Sequence, residues 1–243
     1  MRLVSAHYGT SLYTSTDTGA TWTQQAHQGS PDNFASSADG KKLAQVGWNS
    51  QVFTSTDSGV TWTSRGIRGD GQGVGSSADG TKLVMLHTFG RIHTSTDSGA
   101  NWTARETRRR WGNVRSSKDG TKLVAVESSK RIFTSADSGV TWTPRFPGGC
   151  EEAMAVSADC TTIVLPTRGN EICISMDFGA TWNTEMPTRT FPHHVATVCC
   201  SADGRKMVVG EGDGALRPGS KYPYNIWYSH DAGATWAKGK LRK

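Results

Sequence analysis

The sequence predicts an all-β fold made of repeated units of about 40 residues, and three observations carry this prediction. The phrase Ser-x-Asp-x-Gly-x-Thr-Trp occurs six times in the 243 residues, and its tryptophans are 40 residues apart four times and then 54. A second phrase, "SADG" with variants, keeps the same period. Within each unit apolar and polar residues alternate, as they do in half-buried strands. Four short strands per unit, repeated in this way, predict a six-bladed β-propeller.

The strands of one unit are clearest in the third repeat. There we expect strands at 73–78, 81–87, 91–96 and 100–105, separated by an "ADG" turn, a polar loop and a "DSG" turn. The chain opens on what aligns with a second strand and closes just after a fourth. The prediction is therefore a single domain over residues 1–243, with four-stranded antiparallel blades, one of which lacks its innermost strand. A monomeric closed ring is favoured; strand exchange with a second copy, or a longer parent protein, are the alternatives.

The repeated phrase itself is predicted to be a structural turn between the third and fourth strands. Asp57 can accept hydrogen bonds from the turn's own N–H groups, and Gly59 can take a positive φ. The large apolar ring of Trp62 can then anchor the turn against a neighbouring sheet. The equivalent positions in all six copies are Asp17, Asp57, Asp97, Asp137, Asp177, Asp231, Trp22, Trp62, Trp102, Trp142, Trp182 and Trp236.

This phrase resembles the Asp-box, or BNR repeat, of sialidase-like β-propellers, and Asn101 is the only departure at its Thr position. The resemblance implies the propeller architecture and places the boxes opposite the usual binding face. It does not select a function, since Asp-boxes occur in sialidases, other glycosidases, receptors, photosystem assembly factors and lectin-like proteins. A sialidase would also need an Arg-Ile-Pro element, which this sequence lacks.

The loops that differ between repeats are the predicted ligand-binding segments. They enter each blade or join its second and third strands, and they hold most of the arginines behind the net charge of +6. Three arginines beside an indole in "RRRW" can grip an anion and stack on a ring. The predicted ligand-binding residues are Arg68, Arg91, Arg108, Arg109, Arg110, Arg168, Trp48, Trp111, Tyr222 and Tyr224.

These residues favour a non-catalytic binding or scaffold protein that recognises an anionic glycan or an acidic protein segment. The alternative is a glycoside hydrolase, although no pair of carboxylates stands out as catalytic. The spacing of histidines and cysteines indicates no metal site, and no cofactor is expected. Basic residues spread around a ring argue against nucleic acid as the partner. No apolar run is long enough to span a membrane, and the given N-terminus has no signal-peptide pattern.

Overall fold

The computed structural model describes residues 3–7, 11–25, 33–47, 50–106, 108–128, 131–146, 149, 151, 153–167, 171–183, 195–211 and 225–239. Within these ranges the protein is all-β, with 22 strands in six sheets and no helix. The strands of every sheet pair in chain order, and each pairing whose register is described is antiparallel. The all-β prediction is confirmed.

The first three sheets follow one another along residues 3–104. They are formed by β1 (Leu3–His7), β2 (Ser11–Ser15) and β3 (Thr23–Gln25); by β4 (Asn33–Ser36), β5 (Leu43–Val46), β6 (Ser50–Ser55) and β7 (Thr63–Gly69); and by β8 (Gly71–Ser76), β9 (Leu83–His87), β10 (Ile92–Ser95) and β11 (Thr103–Ala104). The third sheet lies within a few residues of the predicted strands. The first sheet lacks, among the described residues, the strand that begins the second and third sheets.

The remaining sheets repeat the same plan. They are formed by β12 (Trp111–Ser116), β13 (Leu123–Glu127), β14 (Ile132–Ser135) and β15 (Thr143–Phe146); by β16 (Ala155–Val156), β17 (Ile163–Pro166) and β18 (Ile172–Ser175); and by β19 (Val195–Cys200), β20 (Met207–Glu211), β21 (Ile226–Ser229) and β22 (Ala237–Lys238). In the fifth sheet, Asn183 bridges Ile174 where a fourth strand is expected, and residues 184–194 lie outside the description. Four of the six sheets thus show the predicted four strands.

By its internal contacts the chain divides into two compact units. The first comprises 1–128 and 135–143, and the second comprises 129–134 and 144–243. In the first unit, Val46 of β5 packs with Val74 of β8 and Met85 of β9, so neighbouring sheets share a core. In the second unit, Val164 of β17 packs in the same way with Val198 of β19. Both faces of these middle strands are covered, since every residue of β5, β9 and β17 is buried.

The Asp-box is a self-contained hydrogen-bonded turn. In the second sheet, Asp57 accepts the Ser55 hydroxyl at 2.8 Å, the Thr61 N–H at 2.9 Å and the Thr61 hydroxyl at 2.5 Å. Those bonds, first from the Thr61 hydroxyl and then from its N–H, lower the pKa of Asp57 to about 2. Gly59 has a φ of +88°, and the Trp62 indole donates to its carbonyl at 3.0 Å. The carboxylate, both hydroxyls and the indole N–H are therefore paired within the eight residues of the box.

The second repeated phrase forms another turn at the same end of the sheet. Ser37 donates to Asp39 at 2.6 Å and accepts the Lys42 N–H at 3.0 Å. The Asp-box turn bonds to it, since the Ser58 N–H donates to the Lys41 carbonyl at 2.9 Å. In the second to sixth sheets this pattern places both turns at one end and leaves the variable loops at the other.

These second turns also connect consecutive sheets. The Ala38 N–H donates to the Ala78 carbonyl at 2.7 Å, and the Ala78 N–H donates to the Lys118 carbonyl at 2.7 Å. In the second unit, the Ala158 N–H donates to the Ala202 carbonyl at 2.8 Å. These bonds form a backbone ladder that joins the second, third and fourth sheets, and a bond of the same kind joins the fifth sheet to the sixth.

Candidate binding cleft

A cleft of about 360 Å³ opens at the variable end of the third sheet, away from its Asp-box. Three segments meet there: the junction of β7 and β8, the loop joining β9 to β10, and the residues that precede β12. The described lining residues are Ile67, Gly69, Asp70, His87, Phe89, Gly90, Arg91, His93 and Arg108. All of them belong to the first compact unit. The volume of the cleft is near the lower end of the range for small-ligand pockets.

Two histidines form the floor of the cleft. His87 ends β9 and is 7 % exposed, and its ring meets that of His93 on β10 edge to face, with centroids 5.1 Å apart. Burial disfavours the imidazolium and lowers the pKa of His87 to about 4, with His93 adding to the effect and Asp70 opposing it. Burial also lowers the pKa of His93. Both rings are therefore neutral near pH 7.

Two glycines make room for the His87 ring. A Cβ added to Gly69 would lie 2.2 Å from its Nδ1, and one added to Gly90 would lie 2.6 Å from its Cβ. Gly69 also has a φ of +156°, at the edge of the region that favours glycine. Glycine at both positions therefore leaves the space that the His87 side chain occupies.

The rim of the cleft is basic and aromatic. Arg91 and Arg108 are exposed, and Asp70 is the acidic residue among the described lining residues. The Phe89 ring is 68 % exposed at the tip of the β9–β10 loop, and the Arg110 guanidinium lies 5.4 Å from its centroid. The structure thus brings Arg91, Arg108 and Arg110 of the predicted set to one place.

The "RRRW" segment divides into separate environments. The Arg109 N–H donates to the Gly90 carbonyl at 3.1 Å, and its guanidinium lies 3.6 Å from Glu106 and 3.8 Å from Glu127. Trp111, which the sequence places in a loop, instead begins β12. Its side chain is 0 % exposed, and its ring centroid is 6.4 Å from that of Trp142. In this conformation Trp111 does not offer an exposed stacking surface, because its side chain is fully buried.

Other predicted ligand-binding residues fall outside what the structure describes. Arg68 lies on β7, where it pairs with Gln51 through the backbone, and only its backbone is described. The following residues lie wholly outside the described ranges: Trp48, Arg168, Tyr222 and Tyr224. Their proposed roles therefore remain predictions from the sequence.

The sequence analysis missed His87, His93 and Phe89 as members of one site. The available signal was weak, since the two histidines are six residues apart and only hairpin pairing brings them together.

Among the described residues, no group of three or more His, Cys, Asp or Glu side chains is arranged to hold a metal ion. Nor do these residues include a helix long and apolar enough to cross a membrane.

The turns and sheets define a class, an all-β protein that carries Asp-box repeats. The family model of the BNR/Asp-box repeat matches residues 227–238, which include the last box. A search of curated proteins gives no significant match.

Solved structures with a similar fold include propellers of two kinds. One is described as YCF48 bound to D1 peptide, with 19 % identity and a TM-score of 0.69 over 95 % of this chain and 76 % of that chain. YCF48 from Cyanidioschyzon merolae has 18 % identity and a TM-score of 0.69 over 94 % and 78 %.

The second kind is the GH74 enzyme of Niastella koreensis, with 19 % identity and a TM-score of 0.67. That alignment covers 96 % of this chain but 36 % of the enzyme. At these identities the likeness shows a propeller-like fold and leaves the activity to be argued from the site.

Proposed function

We propose that this protein is a non-catalytic binding module and that the cleft of the third sheet holds an anionic ligand. That ligand is either an acidic protein segment or an anionic glycan. The observation that carries the proposal is the pair of exposed arginines, Arg91 and Arg108, at the rim of a cleft with an exposed aromatic ring beside it. Guanidinium groups bind carboxylate and sulfate in forked geometry, and an adjacent ring adds stacking area. Between these ligands the acidic protein segment is favoured, since a structure with a similar fold is described as bound to a peptide.

The proposed architecture is one six-bladed propeller over residues 1–243, with the six sheets as its blades. An Asp-box in each sheet and the backbone ladder between consecutive sheets support this arrangement. We further propose a monomer. Light scattering at several concentrations checks this, because strand exchange between copies would double the mass.

The binding proposal is tested with fluorescent polyglutamate and a heparin octasaccharide, each titrated against the full chain. Arg91→Ala and Arg108→Ala should each weaken binding roughly tenfold, the effect expected when one charge-assisted contact is lost. Lys118→Ala is the control, because Lys118 is exposed in a turn of the fourth sheet, at the end away from the variable loops. Binding that is equally sensitive to all three substitutions would contradict a localised site.

A glycoside hydrolase is the second candidate, and one observation favours it. Glu106 and Glu127 lie 3.6 and 3.8 Å from the Arg109 guanidinium, so two carboxyl groups, the kind of pair that glycosidic cleavage requires, are neighbours of one side chain. Release of chromophore from aryl glycosides, abolished by Glu127→Gln, would establish this candidate. We expect no turnover, because both carboxylates are engaged by the same Arg109 guanidinium.

A further inference from the structure

Hydrogen bonds hold the backbone of the loop that carries the exposed Phe89 ring. The Thr88 N–H and hydroxyl both bond to the Asp70 carbonyl, at 2.8 and 3.1 Å, and the Gly90 N–H donates to the His87 carbonyl at 3.3 Å. The bridge from Gly90 to Arg109 fixes the other side of the loop. Because this backbone is already held, the loop loses little conformational freedom when a partner covers the Phe89 ring.

The composition of this surface matches that of an energetic anchor in protein interfaces. Such anchors are enriched in aromatic residues and arginine and lie next to a pocket that becomes dry on binding. Here the Arg110 guanidinium lies over the Phe89 ring at 5.4 Å, and the cleft begins beside that ring. Elsewhere in the described part of the first unit, the large exposed apolar side chains are Trp22, Val60 and Val140, all within Asp-box turns.

The cleft below the ring suits an apolar side chain better than a sugar. Its described lining combines Ile67, the Phe89 ring, the glycine backbone and the His87 and His93 rings with one carboxylate, Asp70, while Arg91 and Arg108 are exposed to solvent. A sugar would need several hydrogen-bonding groups on the floor. A single apolar side chain needs only area and exclusion of water, and about 360 Å³ is ample for it.

We propose that Phe89 and Arg110, with Ile67 and the His87–His93 floor, form an anchor pocket for one aromatic or large aliphatic side chain of an acidic peptide. This inference rests on the proposed function and names its partner more closely. The carboxylates that flank the anchor residue lie against Arg91 and Arg108. These charges therefore speed association, and the apolar contact decides which peptide binds most tightly. The expected partner sequence is a short acidic stretch with one Phe or Leu inside it.

Fluorescence anisotropy with two labelled octapeptides tests the inference on the full chain. Both peptides carry six Asp or Glu residues and differ only at the centre, which is Phe-Gly in one and Ser-Gly in the other. The Phe peptide should bind roughly tenfold to thirtyfold more tightly. Phe89→Ala should remove that difference and leave the affinity for the Ser peptide unchanged, whereas Phe89→Trp should preserve it.

Two controls separate the possible failures. Val140→Ala truncates another exposed apolar side chain, 55 % exposed in an Asp-box turn, and should change neither affinity. Equal affinities for the two peptides that both fall with Arg108→Ala would overturn the anchor and keep the basic cleft. Affinities insensitive to Arg91→Ala and Arg108→Ala would overturn the proposed function itself. A heparin octasaccharide as sensitive to Phe89→Ala as the Phe peptide would also overturn the anchor, because the ring would then be a sugar platform.

Discussion

Lowering the pH from 7 to 5 should destabilise this protein through His87. Its folded-state pKa is about 4, against an ordinary value of 6.5, because burial disfavours the charged ring. Between these two values the unfolded chain binds more protons at this site than the folded chain does. Stability from the buried neutral ring is therefore fully present above pH 6.5 and is lost as the pH falls towards 4.

The size of the effect follows from the gap between the two pKa values. Each unit of difference is worth 1.36 kcal/mol, so about 2.5 units set a ceiling of roughly 3.4 kcal/mol. The cleft is open to solvent, which screens the charge, and we expect about 1–2 kcal/mol across the whole window. At pH 5 the loss should be about 1 kcal/mol. Burial shifts His93 in the same direction, so it adds to the loss.

Urea unfolding at pH 7 and pH 5 measures this loss in the wild type and in His87→Gln. The substitution removes the titrating group, so the variant should lose less stability between the two pH values, whatever its stability at pH 7. His230→Gln is the control, because it replaces an exposed histidine that lies beside Tyr228 and does not line the cleft. The reasoning fails if the wild type and His87→Gln lose the same free energy of unfolding.

Four further substitutions, at three positions, test the repeated turns. Trp102→Ala should reduce the free energy of unfolding, measured by urea unfolding, by about 2–4 kcal/mol. This is slightly less than the usual cost of truncating a buried aromatic ring, because the Trp102 indole is only partly buried against its core cluster. Gly120→Ala should cost about 1–3 kcal/mol in the same assay, because Gly120 has a φ of +68° and a new Cβ would lie 2.8 Å from that of Lys82. Asn101→Thr should leave the melting temperature unchanged, whereas Asn101→Val should lower it, because the Asn101 amide donates to Asp97 at 2.7 Å as the threonine hydroxyl does elsewhere.

The local part of the fold was readable from the sequence because its bonds are local. Ser55, Asp57 and Thr61 lie within seven residues of one another, and their hydrogen bonds need only the turn that the phrase encodes. Even the departure at Asn101 keeps the bond to Asp97. The four-stranded sheets followed from the spacing of such turns, since antiparallel neighbours joined by short loops pair in chain order.

The candidate site was only partly readable. The sequence correctly placed Arg91, Arg108 and Arg110 in variable loops, but it could not give the direction of each side chain. Arg109 turns towards Glu106 and Glu127 because its backbone is bridged to Gly90, a residue 19 positions earlier.

Trp111 was misplaced for a related reason. The sequence places Trp111 in a variable loop, but its backbone pairs with Glu127 at the start of β12 and its side chain is buried, and this pairing depends on the neighbouring strand β13.

By itself, the sequence determined an all-β chain of repeated sheets, each with an Asp-box, because both repeated phrases form turns whose hydrogen bonds lie within a few residues. Only the tertiary structure decided that Gly69, His87 and Arg108 share a cleft. These residues come from three different segments, and their contacts depend on how one sheet packs beside the next. Side-chain direction and burial, which set the neutral floor and the charged rim, are properties of that packing.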